Sequence, residues 1–207
     1  MKVVLEGGSA EYIEKKSRFI ATVRAVNSVE EAAAFIAEMK KQYWDARHNC
    51  SAFTIGENNE ITRCTDDGEP QGTAGRPMLA VLTGTDVHNV CVVVTRYFGG
   101  VLLGTGGLVR AYSKSVQDGL DACLLGEVIE GVRLRIGCDY GDGTRVQRCL
   151  QSAGLKITDS SYTDKMELET FVRSEFSEKL KKDLTDQTAG RARFLIEEKV
   201  TTAVPIA

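Results

Sequence analysis

The residues best placed to do chemistry lie in one segment, Arg96-Tyr-Phe-Gly-Gly-Val-Leu-Leu-Gly-Thr-Gly-Gly-Leu-Val-Arg110. Gly99, Gly100, Gly104, Gly106 and Gly107 are five glycines within nine residues. That density costs backbone entropy, so it marks left-handed φ angles or close backbone approach. An apolar run precedes the segment and an amphipathic one follows, which makes it a strand-to-helix corner. Free amides at a helix N-terminus attract anions. Arg96 and Arg110 flank this corner, Lys114 lies one turn beyond Arg110, and Arg76 can join from the preceding loop. The chemistry implied is phosphate binding; the competing reading is a tight connection that only packs helix on sheet. No GK[ST] occurs, so this is not a P-loop, and no clear dinucleotide fingerprint is present.

A second segment, Cys64-Thr-Asp-Asp-Gly-Glu-Pro-Gln-Gly-Thr-Ala-Gly-Arg-Pro77, adds a polar cleft of Asp66, Asp67, Glu69 and Thr73, with His48. Its carboxylates could ligate a hard cation, but the spacing misses the calcium-loop pattern, so no metal is assigned. Thr73 reads as the N-cap of a helix opening near Gly75. His48 and Cys50 are two apart and share a face of any strand. A thiol–imidazole pair is conceivable there, but no orienting third residue stands out. No serine-hydrolase motif and no H-E-x-x-H occurs.

Composition limits the classes. The chain has 207 residues with 26 Lys+Arg and 29 Asp+Glu, a net charge of −3, so it is no whole-surface nucleic-acid binder. That charge lies entirely in residues 1–128, so any anion attraction there must be local. Cys50, Cys64, Cys91, Cys123, Cys138 and Cys149 include no C-x-x-C pair, and they read as reduced thiols of a cytoplasmic protein. No apolar run approaches membrane-spanning length.

Hydrophobic periodicity then supplies the elements that must hold these residues. Residues 11–14 and 17–26 form a hairpin, and Ser28-Val-Glu-Glu31 is a capping box opening a helix toward Tyr43. Residues 50–56 and 61–65 form a second hairpin. Residues 76–82 are helical, 90–98 a buried strand and 108–124 a long helix. Residues 126–131 read as a seam between domains 1–128 and 129–207. Beyond it the order is βαββαβ, the ferredoxin-like arrangement, with Phe176, Leu180 and Leu184 as the inward stripe of its second helix. On its open sheet face Arg133 and Arg135 would oppose Glu167 and Glu169. This reads as a charge-paired face and not an RNA-stacking platform. The fold class is α+β.

Residues 66–77 and 92–112, in that order, closely resemble the signature of the IMPACT/YigZ family. Lys16-Ser-Arg-Phe-Ile-Ala21 and His48-Asn-Cys-Ser-Ala52 are similar to its earlier segments. The βαββαβ region resembles the small C-terminal domain of bacterial members. The resemblance implies a first domain folded like the second domain of a small-subunit ribosomal protein. It implies a second domain like the last domain of elongation factor G. Both relatives act on or near ribosomal RNA, and eukaryotic family members act in translational control. The expectation is a translation-linked regulator, without cofactor, that binds RNA, the ribosome or a regulatory protein partner. The alternative is an enzyme acting on a phosphate-bearing small molecule, with Asp66, Asp67 and Glu69 holding a metal or serving as base.

Overall fold

The computed structural model describes residues 1–206. It divides into two units, one of residues 1–127 with the last residues from Ala203, the other of residues 128–202.

The first unit contains β1 (Lys2–Glu6), β2 (Ser9–Glu14), β3 (Ser17–Ala25), α1 (Val29–Gln42), β4 (His48–Ile55) and β5 (Ile61–Thr65). They are followed by α2 (Gly75–Gly84), β6 (Val87–His88), β7 (Val90–Tyr97) and α3 (Gly104–Asp121). Five strands make an antiparallel sheet in the order β2-β3-β7-β4-β5. β7 is central because its unbroken apolar run can be buried on both faces. Val90, Val92 and Val94 pack with Met78 and Leu82 of α2 and Tyr112 and Val116 of α3. Cys91 and Val93 pack on the other side with Phe35 and Met39 of α1. The capping box forms as its residues demand: Glu31 N donates to Ser28 Oγ (3.1 Å), and Asn27 N donates to the Glu31 carboxylate (2.7 Å).

Two strands had no local signal. β1 pairs with β6 and with the first residues of β8 (Leu124–Cys138), and neither pairing leaves a period in residues 2–6. The stretch 126–131 lies inside β8, and the division between units falls at 127/128. The long helix starts at Gly104, a turn before the expected 108, and ends at Asp121; Gly104, Gly106 and Gly107 of the glycine cluster form its first turn.

In the second unit, β8 is followed by α4 (Tyr140–Ser152), β9 (Ile157–Tyr162), β10 (Met166–Arg173), α5 (Ser174–Gln187) and β11 (Arg193–Pro205). The strand order β11-β8-β10-β9 is the ferredoxin-like one. Leu134, Ile136, Leu168 and Val172 of the sheet pack with Val146 and Leu150 of α4 and Leu180 and Leu184 of α5. Phe176 departs from the expected inward stripe and is 53% exposed. On the open face Arg135 meets Glu169 (2.8 Å) and Asp159 (3.0 Å), the expected cross-strand pairing.

Asp142, in the first turn of α4, accepts from Arg191 Nε (2.7 Å) and Arg145 Nη1 (2.8 Å). The Arg191 guanidinium, with Arg145, pulls its carboxyl from 3.8 to about 2. A lowered carboxyl stabilises the fold above its unfolded value, and the contribution is lost as pH falls through the folded one. Asp142→Asn is therefore expected to lower stability at neutral pH and to converge on wild type only as pH falls below about 2. Urea unfolding from neutral to acid pH checks this.

Candidate functional site

The segments singled out by sequence meet at one end of the first unit. The strand pairing accounts for this, since β4 begins where β7 ends and His48 sits opposite Arg96. β5 ends beside them and leads into residues 66–74.

Asp66 organises that loop. Its carboxylate accepts from the backbone amides of Gly72 (2.8 Å), Ala74 (3.0 Å) and Gly75 (2.8 Å). Burial pushes this carboxyl up, but the amides and the nearby Arg76 guanidinium outweigh it and hold it below its ordinary value. Asp66 thus takes the capping role expected of Thr73. The Thr73 hydroxyl instead donates to Pro70 O (2.6 Å), and the α2 N-cap position is Ala74. A long-range carboxylate serves three amides at once, which a local threonine cannot do.

Asp67 accepts from Asn49 N (2.7 Å) and Lys40 Nζ (2.5 Å). His48 Nδ1 lies 3.0 Å from Asp67 O; a carbonyl only accepts, so Nδ1 carries the hydrogen. Glu69 is buried, and its Oε1 accepts from Arg96 Nη1 (2.6 Å) and the Tyr112 hydroxyl (2.8 Å). Cys50 Sγ lies 2.9 Å from Asp66 O and 3.3 Å from the Tyr112 oxygen. Arg96, Glu69, Tyr112, Cys50 and Asp66 therefore form one continuous network, closed by Arg96 over the Phe19 ring (5.4 Å).

This arrangement decides several chemical options. Burial pushes the Cys50 thiol up to about 12, so it is no nucleophile at neutral pH. His48 and Cys50 share a face as expected, but each points to its own backbone carbonyl and they form no pair. Asp66, Asp67 and Glu69 each already accept from protein donors. Among the described residues no group of three or more His, Cys, Asp or Glu is arranged to hold a metal ion.

The cations divide. Arg96 is only 7% exposed and belongs to the network. Lys114 is exposed and pairs with Asp118. Arg76 and Arg110 are exposed. Of the corner glycines, Gly99 has the clearest reason: a Cβ there would lie 2.0 Å from Lys16 C, so the corner packs against the β2–β3 turn. Gly100 and Gly104 take φ of +83° and +70°. Gly106 and Gly107 lie in the first turn of α3, which has no side-chain cap.

Residues the sequence reading passed over also gather here. Lys15 and Lys16 form the turn against Gly99. Tyr97 Oη donates to Asp45 (2.8 Å), which brings Trp44 and Arg47 to the same end. Trp44 is 82% exposed and Leu102 83%, and Phe98 is half exposed. A lone tryptophan among polar residues was the available signal. Tyr112 was visible in the helical period but not its hydroxyl's partner.

Comparison with known proteins agrees with this architecture. The Impact N-terminal domain family matches residues 15–120, and a domain of unknown function (DUF1949) matches residues 136–191. The chain is similar to the IMPACT family member YvyE of Bacillus subtilis, 42% identical over 91% of this chain and 87% of that protein. It is 40% identical to the IMPACT family member YigZ of Escherichia coli over 72% of this chain and 74% of that one. A crystal structure of a hypothetical protein, 34% identical, aligns over 95% of this chain and 97% of its own with a TM-score of 0.60. The chain belongs to the IMPACT family.

Proposed function

We propose that the chain is a translation-linked regulatory protein that binds RNA or a ribosomal partner at the end of the first unit where α3 begins. The observation that carries this is the company kept by the uncapped, exposed first turn of α3. Lys15, Lys16, Arg47 and Arg110 are exposed there, with no carboxylate within ion-pair distance among the described residues. Trp44, Phe98 and Leu102 offer exposed apolar faces beside them. Cations follow a phosphate backbone while aromatic faces stack on unpaired bases, the usual combination for single-stranded nucleic acid. Family membership supports the link to translation. The buried Arg96–Glu69–Tyr112 network serves as the brace that holds the 66–74 loop to β7 and α3.

Binding of a fluorescent single-stranded RNA, followed by anisotropy across a salt series, tests the reading. Affinity is expected to fall with salt, and Lys16→Ala with Arg110→Ala to weaken all sequences alike. Each phosphate contact removed is expected to lower the log–log salt slope by about 0.7. Unchanged affinity in that double variant would remove these residues from the site. A protein partner in translational control would instead lose affinity on Trp44→Ala or Leu102→Ala with little salt dependence.

A further inference from the structure

The second unit carries a feature that this reading leaves unused. α4 and α5 run side by side and enclose an open groove of about 950 Å³, floored by Leu155, Val172 and Leu180. Phe176 stands on its lip, half exposed although it continues the apolar stripe of α5. The two walls differ in charge: α4 carries Arg145 and Arg148, while α5 carries Asp183 and Asp186 at the same spacing, with Lys179 one turn before Asp183 and Arg173 at its N-terminal end. Arg148, Asp183 and Asp186 line one groove, yet none has an ionic partner within 4 Å among the described residues.

We propose that this groove is the contact face for a second copy of the chain, related by a two-fold axis. An isologous interface must be complementary to itself, and a two-fold rotation across the groove lays α4 of one copy over α5 of the other. Arg148 of each copy then faces Asp183 of the other, giving two equivalent ion pairs. The exposed Phe176 of each copy supplies the apolar centre, inserted over the other's Leu155 and Leu180. A partner must present acidic and basic edges flanking an apolar stripe, and this chain's own surface presents that pattern.

Sedimentation velocity on the full chain over a concentration series tests this. Wild type is expected to move from monomer to dimer as concentration rises. Arg148→Asp alone and Asp183→Arg alone are each expected to remain monomeric, because each sets like charges opposite one another twice. An equimolar mixture of the two variants is expected to regain the dimer, since both crossed pairs become attractive. Phe176→Glu is expected to abolish association. These positions are exposed, so all three variants are expected to melt like wild type. A wild type monomeric at every concentration, a dimer indifferent to Arg148→Asp, or a mixture that stays monomeric would each overturn the proposal.

Discussion

Arg96→Ala is expected to destabilise the first unit by about 3–5 kcal/mol, because it strands a buried carboxylate without its counter-ion. Glu69 and Arg96 side chains are 3% and 7% exposed, and their 2.6 Å contact is shared with the Tyr112 hydroxyl. In that setting the single substitution leaves the Glu69 charge with one neutral donor. Replacing both ionic partners by methionine is expected to recover part of the loss, since the desolvation penalty disappears with the charges. The Tyr112 hydroxyl then lacks its acceptor, so recovery stays incomplete. Urea denaturation of the two variants measures the difference. A failure of Arg96→Ala to bind RNA would therefore report unfolding and not a lost phosphate contact.

The second large effect is expected at Asp66. Asp66→Ala removes the carboxylate that serves the amides of Gly72, Ala74 and Gly75. The cost is expected to be about 2–3 kcal/mol, above an ordinary N-cap loss because the acceptor is charged and serves several donors. The pH dependence carries a sign. The folded carboxyl lies below its ordinary 3.8, so its contribution is complete above that value. It is lost as pH falls through the lower folded value. Wild type and Asp66→Ala are thus expected to differ fully at neutral pH and to converge in strong acid, in parallel urea titrations. Thr73→Ala, by contrast, is expected to lose only one local hydroxyl bond.

The contrast between Asp66 and Thr73 shows where sequence reading stops. Local rules were sufficient where the stabilising partner is near in the chain. The Ser28–Glu31 capping box and the βαββαβ order could both be read that way. Glycine clustering marked the corner correctly because Gly99 approaches Lys16 too closely for any Cβ. Partners distant in the chain left no period. Asp66 reaches forward to Gly75, Glu69 joins Arg96 and Tyr112, and β1 is held by β6 and β8. The cations of the corner illustrate the same limit. Arg96 and Arg110 look alike in sequence, yet burial makes one a structural ion and leaves the other in solvent. Phe176 is the opposite case, an apolar residue whose helical position is right but whose own unit does not cover it.

Co-sedimentation with purified ribosomal subunits across a salt series tests binding at the exposed end of α3 most directly. The chain is expected to pellet with a subunit at low salt and to be released as salt rises, by counterion competition for the same phosphates. Lys15→Ala, Lys16→Ala and Arg110→Ala combined are expected to leave melting unchanged and the protein in the supernatant. A triple variant that pellets like wild type, or a wild type that never pellets, would contradict the claim.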